Sequence, residues 1–162
     1  MATQKLQVSR ALKVIPSDYC NIPFPNEKWF GALEGVSVDI IEDVGAQFIS
    51  NPTVQVGDIF YSEENGVGYT VSEIVSEVEL RLNYDGLDTT LAGLGVYTIY
   101  SGDMNQGCVL YIGTSIDGDI TTVVTAGSDT VQFVNLPKGS FVPVQVVAVT
   151  TITDTTDIVA LW

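Results

Sequence analysis

The sequence predicts an all-β protein, and three of its features lead to that conclusion. Val, Ile and Thr are concentrated in short runs, which have the composition typical of strands. Residues 77–82 alternate between polar and apolar side chains, the period of a half-buried strand. Gly, Asn, Asp and Pro separate the runs where tight turns are needed. We therefore expect a small C-terminal β-barrel or sandwich module and an inserted lobe that resembles a small β-barrel.

The first part of the chain predicts an extended arm. Apolar residues alternate loosely over residues 5–16, and Pro16, Pro23 and Pro25 disfavour a helix. Residues 17–30 then resemble a strap that lies over a surface and needs a groove to bind. Its apolar side chains would act as pegs: Tyr19, Ile22, Phe24, Trp29 and Phe30.

The middle of the chain predicts the barrel-like lobe. One strand is expected over residues 36–42, and four more are expected before residue 84, in the runs AQFIS, VGDIFYS, GYTVSEIV and EVELRLN. Residues 64–66, Glu-Asn-Gly, predict a hairpin turn because Asn-Gly accepts positive φ. The run LDTTLAGLG predicts a short helix or loop, and residues 96–100 return to a strand.

The last part of the chain predicts five strands in close succession. They are the runs GCVLYIGT, GDITTVVTA and DTVQFVNLP, a long strand over residues 141–151, and DIVALW at the C-terminus. Turns are expected at residues 117–118, 127–129 and 137–139. An apolar strand that ends on Leu161 and Trp162 predicts a terminus buried in a sheet or against a partner.

Charge is distributed unevenly along the chain. Twenty acidic residues against six basic ones give a formal net charge of −14, which disfavours direct nucleic-acid binding. Four of the six basic residues lie within the first 28 positions. These positions are therefore a candidate arm that docks on an acidic neighbour or on the protein's own body. The alternative is a solubilising surface with an incidental bias in charge.

An enzyme is not expected. The chain has no histidine, and it lacks the GxSxG, HExxH, P-loop and GxGxxG motifs. The carboxylate pairs Asp117/Asp119 and Asp154/Asp157 could serve glycoside cleavage or a weak calcium site, but turn formation is the favoured role. We expect no cofactor and no metal.

The cysteines and the N-terminus predict a protein assembled in the cytoplasm. Cys20 and Cys108 form no CxxC motif and lie beside apolar residues, so buried reduced thiols are favoured, with a Cys20–Cys108 disulfide as the alternative. The N-terminus lacks the continuous apolar core of a signal peptide. No apolar run is long enough to span a bilayer, so we expect no membrane contact.

The strands also raise the question of what covers their edges. After residue 28 the only basic residues are Arg81 and Lys138, so few side chains can guard an edge against pairing with another chain. Either the sheets close on themselves or subunits use the edges, and a closed symmetric oligomer would satisfy the second option.

The C-terminal module resembles a family of virion proteins of tailed bacteriophages and gene-transfer agents, which includes head decoration (cement) proteins and head-spike base proteins. The residues that carry the resemblance are LYIGT at 110–114, Gly118-Asp119, VQFVNLP at 131–137, GSFVPV at 139–144 and TDIVALW at 156–162. The opening phrase ALKVIPSDYCNIPFP is similar to the family's first strand, which pairs with the C-terminal module. The run VQVVAVTT departs from the family, because it lacks the basic residue that members often have there.

The resemblance implies a homotrimeric, non-enzymatic decoration protein on the surface of a phage head, with the major capsid protein as its partner. The alternatives are a spike-base, collar, tail or fibre-attachment protein of the virion and, from another class, a ligand- or glycan-binding β-module. The expected organisation is an arm at 1–35, an inserted lobe at 36–103 and a C-terminal module at 104–162. Candidate capsid-docking residues are Lys5, Arg10, Lys13, Tyr19, Ile22, Phe24, Trp29 and Phe30. Candidates for the subunit core or trimer interface are Phe133, Phe141, Val144, Val146, Ile158 and Trp162.

Overall fold

A computed structural model describes residues 8–103, 106–153 and 156–162. With 46% of residues in strands and 3% in helix, it confirms the all-β prediction. Its elements, in chain order, are β1 (Ala11–Lys13), β2 (Glu27–Leu33), β3 (Gly35–Val36), β4 (Ile40–Glu42), β5 (Ile59–Ser62), β6 (Val67–Ile74), β7 (Glu79–Leu82), α1 (Leu87–Thr90), β8 (Gly95–Tyr100), β9 (Val109–Thr114), β10 (Ile120–Thr125), β11 (Thr130–Val134), β12 (Val146–Ile152) and β13 (Thr156–Leu161).

The chain divides into two compact units. The inserted unit is Ile15–Asn105, and the C-terminal unit combines Met1–Val14 with Gln106–Trp162. This division differs from the predicted boundaries, because the predicted arm at 1–35 is shared between the units. Only β1 joins the C-terminal unit, whereas β2 lies in the sheet of the inserted unit.

The inserted unit is one antiparallel sheet of seven strands in the order β2-β8-β5-β6-β7-β4-β3. Its first and last strands, β2 and β3, are consecutive in the chain and separated by Glu34 alone. The long strand β6 pairs with β5 through its first half and with β7 through its second half. The sheet therefore curls around a single core, although no closed barrel is found among the described residues.

Large apolar side chains fill that core. Phe60 and Tyr97 stack with ring centroids 4.9 Å apart, and Phe48 meets Trp29 edge to face at 5.8 Å. The short helix α1 adds Leu87, which is fully buried. At roughly 25 cal/mol per Å² of apolar surface removed from water, side chains of this size dominate the stability of the unit.

The proline-rich strap lies on the inserted unit. The amide of Ile15 donates to the Tyr61 hydroxyl at 2.5 Å, and the Ser17 hydroxyl donates to the carbonyl of Gly68 at 2.7 Å. The carbonyl of Tyr19 accepts hydrogen bonds from the side chains of Thr70 and Asn83. Because polar groups of the unit satisfy the strap's backbone, the strap does find a groove, and the groove lies within its own chain.

The C-terminal unit contains two three-stranded antiparallel sheets, β1-β13-β9 and β11-β10-β12. The segment between β11 and β12 covers the second edge of β9 through a bridge from Tyr111 to Phe141, and Cys108, just before β9, bridges to Val146 at the start of β12. The predicted pairing of the N-terminal strand with this module is confirmed, since Leu12 of β1 lies opposite Ala160 of β13. The C-terminal strand is therefore central in its sheet.

Three predicted strands are wrong in detail. Residues 36–42 form two strands, because the Ser37 amide donates to the Ile40 carbonyl and closes a tight turn. Residues 46–50 form turns, because the Glu77 carboxylate accepts the amides of Ile49 and Ser50. The expected long strand over residues 141–151 shortens to β12, preceded by a single bridge, because Pro143 has no amide to donate to a ladder.

Other predicted elements are present. The hairpin between β5 and β6 turns at residues 63–66, with Gly66 at φ +67°. The short helix and the strand that follows it are α1 and β8. Within the described residues, no helix is both long enough and apolar enough to cross a membrane.

Candidate functional site

The buried carboxylates of the inserted unit are saturated with hydrogen bonds. Asp43 accepts from the indole of Trp29 at 3.1 Å and from the hydroxyl of Tyr97 at 2.7 Å. Asp58 accepts from the ammonium of Lys28 at 2.7 Å and from the amide of Gln55 at 2.7 Å. Both carboxylates hold loops against strands. Their hydrogen bonds therefore explain why these two acidic side chains are buried.

Both thiols are held in their protonated form. Burial raises the pKa of Cys108 to about 12, and its thiol donates to the carbonyl of Val146 at 3.1 Å. Burial likewise raises the pKa of Cys20 to about 12, and its sulfur lies close to the Gly68 backbone. The two cysteines are free and belong to different units, so the structure does not contain the alternative disulfide.

Asp119 has the predicted turn-forming role. It is 2% exposed, and its Oδ2 accepts the amide of Ile116 at 2.7 Å. Asp117 is exposed in the same turn, while Asp154 of the second predicted pair lies outside the described residues. In the described parts of the chain, no group of three or more acidic, Cys or His side chains could hold a metal ion.

The basic part of the predicted docking arm lies beside β1. Arg10 directly precedes this three-residue strand and Lys13 is its last residue, and both are exposed. Lys5, the third basic residue of the prediction, lies outside the described residues. Arg10 also joins the terminus through its backbone, because its carbonyl accepts the amide of Trp162 at 3.0 Å.

The apolar part of the predicted arm is largely occupied within the chain. Ile22 is 3% exposed and cannot act as a peg for a partner, which corrects the prediction for this residue. Phe24 is half-buried, and the ring of Tyr19 lies 4.8 Å from that of Tyr84. Trp29 is tied to Asp43 in the core, so it does not form an exposed platform for a sugar.

Two of the apolar residues predicted for docking stay exposed, Phe30 at 59% and Tyr19 at 42%. Phe30 lines a groove on the β2-β8 face together with Val96, Tyr100, Glu63 and Glu64. The volume of this groove, about 240 Å³, is below the roughly 300–1,000 Å³ of ordinary small-molecule sites. The groove is therefore a weak argument for a ligand-binding module.

The residues predicted for the core or the trimer interface separate into two groups. Val146 and Ile158 are buried within the chain and belong to its core. The others retain exposed surface that a second chain could cover: Phe133, Phe141, Val144 and Trp162.

The two units differ sharply in charge. The sequence of the inserted unit contains 15 of the 20 acidic residues and two of the six basic residues, a formal charge of −13. The C-terminal unit contains five acidic and four basic residues, a formal charge of −1. Like charges therefore oppose self-association through the inserted unit far more than through the C-terminal unit.

Apart from the covered edge of β9, the sheets of the C-terminal unit end on β1, β11 and β12, and β12 is bridged to Cys108 at Val146. Strand β1 has three residues, ends on Lys13 and follows Arg10, so it is short and charged, as guarded edges usually are. At five residues, β11 has no charged side chain and no proline. Both of its faces keep some exposure, and Val134 is 57% exposed. Among the described residues, no strand pairs with the outer edge of β11.

The hydrogen bonds at the two ends of the β10-β11 ladder determine which residues of β11 bond to β10 and which face away from it. The amide of Thr125 donates to the Asp129 carbonyl, and the amide of Asn135 donates to the Asp119 carbonyl, both at 2.9 Å. In an antiparallel ladder, hydrogen-bonded and non-bonded pairs alternate. Val131 therefore directs its backbone groups toward β10, as does Phe133. The backbone groups of Thr130, Gln132 and Val134 point to the open edge.

The sequence indicated this surface only in part. The scarcity of basic residues after position 28 predicted poorly guarded edges, but it did not show which strand lies at an edge. Strand order depends on long-range pairing, and no short-range signal in TVQFV separates an edge strand from a central one.

No protein family model, curated protein or solved structure matches this chain. The family resemblance of the C-terminal module therefore rests on its sequence segments, and the candidate site rests on the geometry of β11.

Proposed function

We propose that this chain is a non-enzymatic structural protein that binds the assembled head of a tailed bacteriophage and stabilises its shell. The proposal rests on one observation: segments that carry the family resemblance are also neighbours in one sheet. Three segments that carry the family resemblance, ALKV, LYIGT and TDIVALW, are hydrogen-bonded neighbours in the sheet β1-β13-β9. Segments that are far apart in sequence thus form one surface of the C-terminal unit.

The organisation of the inserted unit supports a structural role. Its buried carboxylates hold loops against strands, and its aromatic rings fill the core. An acidic, curled unit of this kind is suited to face solvent, because its charge opposes aggregation.

The mechanism is mechanical. A protein that binds only the assembled lattice shifts the equilibrium toward that lattice, by RT ln(1 + [L]/Kd) at each site. Attachment through several copies raises avidity without any very strong single contact. The major capsid protein is the proposed partner, and the virion head surface is the proposed location, after assembly in the host cytoplasm.

Binding to expanded heads tests this proposal. Heads of the parent phage, assembled without this protein, are mixed with the purified chain and sedimented. We expect saturable co-sedimentation and a higher temperature of shell disruption. Bovine serum albumin at the same concentration controls for trapping. The proposal fails if the chain stays in the supernatant at saturating concentration and the shells melt unchanged.

Copy number separates decoration from its alternative, a spike-base, collar, tail or fibre-attachment role. Quantitative mass spectrometry of virions gives the ratio of this chain to the major capsid protein. A ratio near that of a lattice-wide component supports decoration, whereas a few copies per vertex or per tail support the alternative. The homotrimer implied by the resemblance remains a prediction, which light scattering on the free protein tests.

A further inference from the structure

The open edge of β11 is self-complementary. If two copies of β11 run antiparallel with Gln132 opposite Gln132, then Thr130 lies opposite Val134 of the second copy. All three of these residues direct their amides and carbonyls to the open edge, so this register forms six backbone hydrogen bonds. A shift by one residue would oppose groups that already bond to β10.

We propose that the β11 edge binds the β11 edge of a second copy of this chain, which joins two β11-β10-β12 sheets into one six-stranded sheet. This proposal does not depend on the viral function. The contact is isologous, since each copy offers the same five residues.

The side chains agree with this register. Val131 of one copy lies opposite Phe133 of the other, in the non-hydrogen-bonded positions where side chains approach most closely. Pairs of aromatic and β-branched residues stabilise neighbouring strands. On the core-facing side, Val131 and Phe133 share a face with the buried residues Val123 and Thr121 of β10, so pairing extends an existing apolar layer.

Charge favours a second copy of this chain as the partner of the β11 edge. β11 has no charged residue, and the carboxylate nearest to its start, Asp129, lies opposite Asn135 of the second copy. No like charges meet in this register. The C-terminal unit as a whole has a formal charge of −1, so self-association through it is opposed far less than through the inserted unit at −13.

The contact is small and predicts a weak dimer. Five residues a side is well below the roughly 20–30 residues a side of a standard stable interface, so we expect dissociation on dilution. A closed trimer is a different arrangement, because each β11 would then have to meet another strand of its neighbour.

Disulfide trapping tests the register directly. In the proposed pair, the two Gln132 Cα atoms are about 5.5 Å apart, within the range of a disulfide. Two Thr130 residues, or two Val134 residues, are about 14 Å apart and cannot be bridged. The single variants Gln132→Cys, Thr130→Cys and Val134→Cys are oxidised at equal concentration. The unchanged chain, with its two shielded thiols, sets the background on a non-reducing gel.

We expect Gln132→Cys to form a covalent dimer at least about tenfold faster than either other single variant. A mixture of Thr130→Cys and Val134→Cys should also form a heterodimer, because those positions face each other. Equal rates for all three single variants, or no dimer from Gln132→Cys, would overturn the proposal.

Light scattering across a concentration series gives a second readout. The unchanged chain should move from monomer to dimer, and a trimer or a strict monomer would contradict the proposal. Gln132→Pro should remain monomeric, because it removes an edge amide that β10 does not use. Gln132→Thr keeps that amide and should still dimerise, which makes it the matched control. Fluorescence of Trp162 checks that each variant keeps the fold of the C-terminal unit.

Discussion

The inserted unit and the C-terminal unit are both antiparallel β-structures, but they end their sheets in different ways. In the inserted unit, the first and last strands are consecutive in the chain, so the sheet curls until its two ends are covalently joined through Glu34. In the C-terminal unit, the sheets end on β1, β11 and β12; β1 is short and basic, whereas β11 has no charged side chain and pairs on its outer side with no strand of the described residues.

The difference in charge follows the difference in edges. The acidic unit ends on β2, which includes Glu27 and Lys28, whereas the nearly neutral unit ends on β11, which has no charged side chain. A sheet edge is a liability for a free protein and a binding element for an assembling one. We infer that the inserted unit keeps the chain in solution while the C-terminal unit makes its contacts.

The core of the inserted unit provides the largest effect. Phe60 is fully buried, and Phe60→Ala should lower the free energy of unfolding by about 3–5 kcal/mol. Phe30→Ala is the matched control in the same unit, because Phe30 is 59% exposed, and it should change stability by less than about 0.5 kcal/mol. Denaturant unfolding is followed by Trp29 fluorescence in a Trp162→Phe background. Similar costs for the two variants would show that the described core is wrong.

The C-terminal unit offers an equivalent pair of variants, one at a buried residue and one at an exposed residue. Ile158 in β13 is 2% exposed, and Ile158→Ala should cost about 2–5 kcal/mol. Ile116→Ala, at a residue that is 57% exposed, should be nearly neutral. Trp162 reports this unit in a Trp29→Phe background. If Ile158→Ala had no effect, the C-terminal strand would not be central in its sheet.

Alkaline pH should weaken the inserted unit more than the C-terminal unit. Burial raises the pKa of Tyr61 and of Tyr97 well above the ordinary value of 10.0, and a hydrogen bond to Asp43 adds to the shift for Tyr97. Both groups ionise first in the unfolded chain, so the stability they contribute is complete below pH 10.0 and decreases as pH rises further. The loss is up to about 1.4 kcal/mol per pH unit for each group.

Among its described residues, the C-terminal unit has one comparable group, Cys108, whose pKa rises from 9.0 to about 12. Its unfolding midpoint should therefore fall with a shallower slope between pH 9 and pH 12. The two single-tryptophan backgrounds measure both slopes. Equal slopes for the two units would contradict the described burial of the tyrosines.

Salt should produce the smallest difference. Screening reduces repulsion among the acidic residues, so added NaCl should stabilise the inserted unit, at −13, more than the C-terminal unit, at −1. We expect a difference below about 1 kcal/mol, because most of these charges are exposed. Sodium sulfate is unsuitable for this measurement, since it also strengthens apolar burial. A larger stabilisation of the C-terminal unit would reverse the comparison.

The sequence predicts the strands better than it predicts their arrangement. The alternation at residues 79–82 and the turn ending at Gly66 are local signals, and both correspond to observed elements. The burial of Ile22 and Trp29 within the chain was not predictable from local signals. An apolar side chain in an extended segment gives the same sequence pattern whether it packs on its own chain or on a partner. The open edge of β11 was hidden for a related reason, since strand order is set by contacts between distant segments.

Hydrogen exchange of individual amides at low and high protein concentration tests the central claim most directly. The account predicts that the amides of Thr130, Gln132 and Val134 exchange fast in dilute protein and become protected in concentrated protein. The alternating amides of Val131 and Phe133 should be protected at both concentrations, because they bond to β10, and the inserted unit should not change. Protection that appears in the inserted unit instead, or a β11 pattern that is the same at both concentrations, would contradict the account.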